Sequence, residues 1–404
     1  MTDVRYAHLS DRHRNLLERA ERVAADVLVP VAAAGEPGRI NRPLLTVLAE
    51  QKLLGMLFVP SADGGYAPVS AMELCLLREG LARYCTEAET ALAVQGLGAY
   101  PILRAGRLEV VEEWIPRLAA GASAAGLALT EPDAGSDAAA LALDASRVPG
   151  GFRLTGEKVF ISNAPEADVY SVFARTGGGS RASGITAFAV PGDSPGLSGE
   201  RLSLVSPHPI GRLQFDDVYV PDSHVLGSLD GGWDVAMRTF DLFRPSVGAF
   251  AVGMAQAAVD AAVSYAATRS VFGRELRTFQ GVSHQLADVV TQVQAARLLV
   301  HSAAAAYDSG TAQISHLSAM AKLYATETAQ VAVDTAIQVH GARALEAGHL
   351  LEHLYREVRA PRIYEGASEI QREIIARQLF GATPPAPTSD PTARGYAGDR
   401  RRSG

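Results

Sequence analysis

Apolar positions recur at helix spacing early in the chain. Leu16, Ala20, Val23 and Val27 mark one stripe, and Pro30, which has no backbone N–H to give, is expected to stop that helix. Further helical stretches are expected near 43–54, 70–83, 87–105 and 108–119. Beyond residue 123 the pattern changes. Val169 to Arg175, Ile185 to Val190 and Leu213 to Val220 are short segments broken by Gly and Pro clusters, each with the period-two alternation of a half-buried strand. From about 234 to 379 the helical period returns, first as Val252, Ala255, Val259 and Ala262, then as Leu286, Val289, Val293, Ala296 and Val300. Alanine-rich helices approach closely, so this part reads as an antiparallel four-helix bundle able to repeat across a subunit interface.

The chain is therefore expected to be mainly α with a central β domain. An N-terminal helical domain occupies 1–122, a small β barrel or sandwich 123–230, and a C-terminal four-helix bundle 231–381. Residues 382–404, rich in Pro, Gly, Asp and Arg and without apolar periodicity, read as a disordered tail. At 404 residues the chain can bury several cores and leave a cleft between them.

Charge and composition narrow the functional classes. A net charge of -7 with no cluster of Lys and Arg argues against nucleic acid. Cys75 and Cys85 form neither a disulfide framework nor a Cys-x-x-Cys pair, which fits a reduced cytoplasm. Asp11, Arg12, Arg14, Glu18 and Arg19 interrupt any N-terminal apolar run, so neither a signal peptide nor a membrane span is expected. His349-Leu350-Leu351-Glu352-His353 matches the inverted zinc-protease pattern, but little chain follows to supply a third ligand. Solvated helix-face histidines and no metal are expected there. Gly177-Gly178-Gly179 has no following Lys-Ser or Lys-Thr and reads as a hairpin loop, and no Gly-x-Gly-x-x-Gly follows a strand.

Three segments carry chemistry. Leu129-Thr130-Glu131-Pro132-Asp133-Ala134-Gly135-Ser136-Asp137 gathers hydroxyls, acids and a glycine that can present donors to a polar heterocycle, although such residues also simply make turns. Lys158-Val159-Phe160-Ile161-Ser162-Asn163 puts an aromatic ring and a hydroxyl on one strand face. Arg362-Ile363-Tyr364-Glu365-Gly366-Ala367-Ser368-Glu369-Ile370-Gln371-Arg372 places a carboxylate between Pro361, expected to end one helix, and a Ser368/Gln371 capping box, expected to start the next. In that connection Glu365 is expected to face a cleft, lose water and become a competent base; the alternative is a solvated loop carboxylate.

With Arg269-Ser270-Val271-Phe272-Gly273 and Phe279-Gln280, these segments resemble the acyl-CoA dehydrogenase family over roughly 1–380. Thr-Glu-Pro-x-Ala-Gly-Ser-Asp and Ile-Tyr-Glu-Gly-x-Ser-Glu-Ile-Gln-Arg, in that order, carry the likeness. The resemblance implies FAD held between the β domain and the bundle. It also implies a coenzyme A or carrier-protein thioester as substrate, an electron-transfer flavoprotein as acceptor, and a homodimer or homotetramer. By position, Leu129, Thr130, Phe160 and Ser162 would line the flavin ring, and Ser136 would contact a cofactor phosphate or the thioester. Arg269, Phe272 and Gln280 would reach a neighbouring subunit's FAD, with Gln338 and Gly341 near its adenosine end, and Ala367 and Glu369 would complete the cofactor set. Asp241 and Arg244 would face the coenzyme A part, Tyr364 and Gly366 the acyl pocket. Glu365 would take the α proton while the β hydrogen leaves as hydride to flavin N5.

The chain departs from the family at several places. Phe160 stands where Trp is usual, Ala367 where Thr is usual, and Gly341-Ala342-Arg343-Ala344 where Gly-Gly-x-Gly is common. Leu202 to Arg212 lacks the usual Gly-x-Arg-x-Ser pattern. These changes point to weaker FAD contact and an altered substrate mouth. Two other readings keep the fold: a flavin-binding scaffold without turnover, which the intact Glu365 opposes, and an oxygen-using flavoprotein that oxidises or hydroxylates a carrier-bound substrate.

Overall fold

The computed structural model describes residues 4–62, 65–179, 181–311 and 314–381, and the tail at 382–404 lies outside them. Ser10 caps α1 (Asp11–Val23), accepting a hydrogen bond from the His13 N–H, and Leu16, Leu17, Ala20 and Val23 are buried along one stripe. Pro30 does not stop this helix. The backbone widens into a π-helical turn (Ala24–Leu28), in which the Val29 N–H reaches the Ala24 carbonyl, and continues as α2 (Val29–Ala33); the wider turn lets Pro30, which has no N–H to give, follow without ending the helix. Then come α3 (Arg42–Glu50), α4 (Ala71–Ala82), α5 (Thr86–Ala105) and α6 (Leu108–Ala119), close to the expected positions. Every residue of α4 except Glu73 is buried, because α1 covers it on one side and bundle helices on the other.

The central strands are β1 (Ala125–Ala128), β2 (Asp144–Val148), β3 (Gly151–Ser162), β4 (Val169–Arg175), β5 (Ile185–Pro191), β6 (Leu197–Arg201), β7 (Ile210–Pro221) and β8 (Val225–Leu226). They form one sheet in the order β6-β7-β3-β2-β4-β5-β8, with β1 parallel beside β4. Phe152, Val172, Phe188, Leu213 and Phe215 share a single core, so the sheet curls around its own apolar face. β7 alternates between buried and exposed positions as expected except at Asp216 and Asp217, both exposed, where Asp217 takes φ 55° and the pairing with β3 shifts register. β4 and β5 do not: each has six consecutive buried residues. Their second face is covered by α5 and α7, which makes their burial continuous. α5 and β1 meet so closely at Gly98 that an added Cβ would lie 2.7 Å from the Gly126 nitrogen.

The C-terminal part contains α7 (Gly232–Thr268), a short hairpin β9 (Ser270–Val271) and β10 (Arg274–Glu275), α8 (Gln280–Asp308), α9 (Ser315–His340), α10 (Leu350–Glu357) and α11 (Ser368–Phe380). α7, α8 and α9 pack on one another and α11 packs on α9, giving the four-helix arrangement. α7 is long and apolar enough to cross a membrane, but 83% of its most apolar stretch is buried inside the protein. Cys75 and Cys85 are both free thiols in the interior.

Candidate active site

The Glu365 loop is built differently from the sequence expectation. α10 ends at Glu357 with Val358 as its cap, and Pro361 falls in a later 3-10 turn, Ala360–Arg362, so the proline follows the helix end instead of making it. The capping box does not form. Ala367 holds the cap position of α11 without a side-chain bond, while Ser368 donates to Glu327 at 2.6 Å. Gln371 turns back and donates to the Glu365 carbonyl at 3.2 Å and the Gly366 carbonyl at 2.8 Å. The backbone explains the change: φ is 51° at Glu365 and 91° at Gly366, which swings both carbonyls over the start of α11. A Cβ on Gly366 would sit 2.4 Å from Gln371 Nε2, so this position requires glycine on two grounds.

Lys322, fully buried on α9, donates to the same Gly366 carbonyl at 2.6 Å. Glu365 is recessed beneath this arrangement, and its Oε2 is buried without a hydrogen bond. Burial pushes its pKa up, and the charges of Arg78, Lys322 and Arg244 only partly reverse that, so the carboxyl stays above its ordinary range. Lys322 is held at about 8 by burial, partly offset by Glu365. Arg244 lies 3.9 Å from Asp241, which accepts from Ser315 Oγ at 2.9 Å. Tyr364 is 37% exposed next to the carboxylate.

Arg78, Glu89 and Lys322 were not singled out in the sequence, and Gln371 was read only as half of a capping box. Arg78 and Lys322 carry a signal, a lone charge inside an apolar run, as in Leu76-Leu77-Arg78 and Met320-Ala321-Lys322; Glu89 and Gln371 lie among other polar residues and carry none.

A second cluster lies on the β domain. Past β1, the Leu129 carbonyl and the Glu131 carboxylate accept from buried Lys158 at 2.9 and 2.8 Å, and Glu131 also accepts from the Ala142 and Leu143 N–H groups. These bonds fix the Leu129–Asp137 loop against β3. β3 has a register shift between Lys158 and Ile161, and there Phe160 takes φ 57° and leaves its ring 59% exposed. The Val159 N–H donates to the Thr130 carbonyl, so Thr130 sits beside that ring. The Thr130 and Ser162 hydroxyls bond to no described residue. The exposed Phe160 ring, with the Thr130 and Ser162 hydroxyls on the two segments joined there, is a set of groups suited to a flavin ring. Ser136 is exposed on the same loop. α5 links the two clusters: Gln95 accepts from the Ala125 N–H at 3.0 Å, and Glu89 on the same helix pairs with Arg78.

Other residues singled out in the sequence lie apart. Arg269, Phe272 and Gln280 are exposed around the hairpin after α7, where Phe272 is 95% exposed with φ 50°. Gln338 and Gly341 are exposed at the end of α9, and Glu369 is exposed on α11. No hydrogen bond or ion pair among the described residues joins these to Glu365. The two histidines of the zinc-like pattern are not solvated partners on one face: His349 caps α10, accepting from the Leu351 N–H, and His353 bonds Thr86 at 2.7 Å. Among the described residues no group of three His, Cys, Asp or Glu could hold a metal. In the unusual loop before β7, Ser206 and His208 both bind Glu357 of α10.

A curled sheet between two helical layers, with a recessed interhelical carboxylate and an exposed aromatic shelf, defines a scaffold suited to a planar cofactor and an acidic C–H substrate. The chain matches the acyl-CoA dehydrogenase N-terminal domain over residues 10–122, the middle domain over 126–218 and the C-terminal domain over 230–380. It belongs to the acyl-CoA dehydrogenase family and is an FAD-dependent oxidoreductase. It is 33% identical over 380 residues to cyclohexane-1-carbonyl-CoA dehydrogenase of Geobacter metallireducens, covering 92% of this chain and 98% of the relative. Butyryl-CoA dehydrogenase from Megasphaera elsdenii superposes with a TM-score of 0.85 at 31% identity, over 92% of this chain and 99% of that one. PigA with FAD and proline gives a TM-score of 0.86 at 28% identity, over 92% and 98%.

Proposed function

We propose that this protein dehydrogenates an acyl thioester between its α and β carbons, with Glu365 as the base. The observation that carries the reading is the Glu365 carboxyl itself: one oxygen buried without a hydrogen bond, its pKa raised by burial, and three cations around it. An α C–H beside a thioester is weakly acidic, so removing its proton needs a desolvated, oriented base and a polarised carbonyl. The Glu365 N–H bonds to no described residue and is available to the thioester carbonyl. Lys322 and Gln371 hold the loop that aims the carboxylate. Arg244 and Asp241, 3.9 Å apart, are the positions that the family resemblance assigns to the coenzyme A part. Leu129, Thr130, Phe160 and Ser162 would hold the flavin ring, and bound FAD supplies the two-electron acceptor for the hydrogen leaving the β carbon.

Within the same reading the electrons pass on to an electron-transfer flavoprotein, and the enzyme works as a cytoplasmic homo-oligomer in which Arg269, Phe272 and Gln280 reach a neighbour's cofactor. A monomer that keeps stoichiometric FAD would overturn that last point. The main test is anaerobic mixing of the yellow holoenzyme with a panel of acyl-CoAs, comparing wild type with Glu365→Gln. Bleaching of the oxidised flavin in wild type, and its loss by at least about a thousandfold in rate in the variant, is expected for removal of an essential base. Bleaching that survives the substitution removes Glu365 from this role.

A further inference from the structure

The loop before β7 joins the two clusters of the site. Ser206 Oγ and His208 Nε2 each bond one oxygen of the Glu357 carboxylate, His208 at 2.7 Å, and Glu357 is 3% exposed. Next along the chain, the Pro209 carbonyl accepts from the Asn163 N–H at 2.6 Å, and Ile210 pairs with Ser162 in the sheet. Ser162 ends β3, the strand that carries Phe160, so this end of the loop is stitched to the aromatic shelf. The Pro207 carbonyl, between the two, accepts from the Gly38 N–H at 2.8 Å and ties the loop to the N-terminal helices as well. Glu357, for its part, is the last residue of α10 and the root of the connection that leads to Glu365. That connection is compact: the Ile363 and Tyr364 N–H groups both donate to the Ala360 carbonyl, at 2.8 and 3.1 Å.

The Glu365 loop itself is held by α9, where Glu327 takes Arg362 at 2.7 Å and Ser368 at 2.6 Å, and Lys322 takes the Gly366 carbonyl. Those bonds orient the loop on the bundle. Ser206 and His208 instead tie its root to the β domain. The tie is ionic: burial would lower the His208 pKa, but Glu357, with Glu87 and Glu89 of α5, outweighs burial and raises it. A buried carboxylate gripped by a charged and a neutral donor has little freedom to move, and proton removal from carbon is steeply sensitive to where the base stands. The tie also lies where the sequence leaves the family's Gly-x-Arg-x-Ser pattern. Resting on the dehydrogenase reading, we infer that Ser206, His208 and Glu357 are positioning residues, a latch that sets the Glu365 carboxylate against the flavin shelf.

The test is anaerobic single-turnover reduction of the holoenzyme at saturating concentration of an acyl-CoA that bleaches wild type. His208→Leu is expected to slow flavin reduction by at least about tenfold, because a misplacement of about 1 Å can cost about a hundredfold. Thioester affinity and FAD content are expected to stay at wild-type values. His208→Gln, which keeps an N–H donor, should recover most of the rate. A pair that serves stability alone behaves differently. His208→Leu/Glu357→Leu no longer confines an orphan carboxylate, so its unfolding midpoint should rise above that of His208→Leu. With a latch, flavin reduction stays slow in this double variant; a rate that recovers along with the midpoint overturns the inference. So does a wild-type rate in His208→Leu. If a leucine variant does not hold FAD, Ser206→Ala carries the test, with an expected slowing of about threefold, the low end of what one lost hydrogen bond is worth. An unchanged rate there overturns the inference and leaves the dehydrogenase reading intact. Failure of every thioester to bleach wild type overturns both.

Discussion

At the scale of single residues, Glu365 and Lys322 share one piece of backbone and oppose each other in charge. Lys322 donates to the Gly366 carbonyl, so it fixes the loop that carries the carboxylate, and its charge pulls down a pKa that burial has raised. Lys322→Met removes both effects. Without that cation the Glu365 carboxyl titrates higher still, so the acid limb of the kcat/KM profile is expected to move to higher pH, with activity on that limb lower by up to about tenfold. Lys322→Arg should restore much of the profile, because it keeps the charge. FAD content should be the same in all three proteins. A profile that does not move in Lys322→Met would mean that Lys322 only packs α9 against the loop.

At the scale of elements, α11 begins without a side-chain cap, since Ala367 has no hydroxyl to offer the first free N–H groups. Ala367→Thr is expected to raise stability by about 1 kcal/mol, seen as a higher unfolding midpoint, and to tighten FAD if the same hydroxyl also faces the cofactor. An unchanged midpoint would show that the loop geometry cannot bring the hydroxyl to the helix. The same few residues show what the sequence discloses. Gly366 and the position of Glu365 between two helices were legible, because Pro361 and the end of the helical period bracket them. The box between Ser368 and Gln371 was not, because an amide serves helix donors or loop carbonyls equally well, and the positive φ of Glu365 and Gly366 decided between them. β4 and β5 were expected to be half-buried, yet their polar residues Ser171 and Thr186 are buried: Ser171 donates to the Gly98 carbonyl at 2.7 Å, and the Thr186 hydroxyl bonds Thr176 and accepts from the Asp230 N–H. Local pattern reports polarity, and only the packed partner tells whether that polarity faces water.

At the scale of the whole molecule, the N-terminal helices and the bundle are joined by charge as well as by hydrocarbon. Glu79 on α4 is 2% exposed and meets Arg297 of α8 at 2.7 Å, His301 of α8 at 3.3 Å and the Tyr6 hydroxyl at 2.9 Å. Burial alone would raise its pKa, but Arg297 and His301 outweigh burial and hold it at about 2. The sign of the consequence follows from that depression. A carboxyl lower in the folded than in the unfolded chain stabilises the fold above its ordinary pKa, and that stability is lost as pH falls from about 4.5 toward about 2. Glu79→Gln leaves Arg297 buried without its counter-charge and is expected to cost about 3–5 kcal/mol near neutral pH. The cost should shrink as the medium is acidified through that window, because wild type then loses the same charge. Adding Arg297→Met should recover part of the loss, since a neutral pair no longer confines an orphan cation. Unfolding midpoints for the three proteins from pH 7 down to pH 3 check this. Parallel curves for wild type and Glu79→Gln would show that the pair contributes shape to the interface between the two helical layers and no titratable stability.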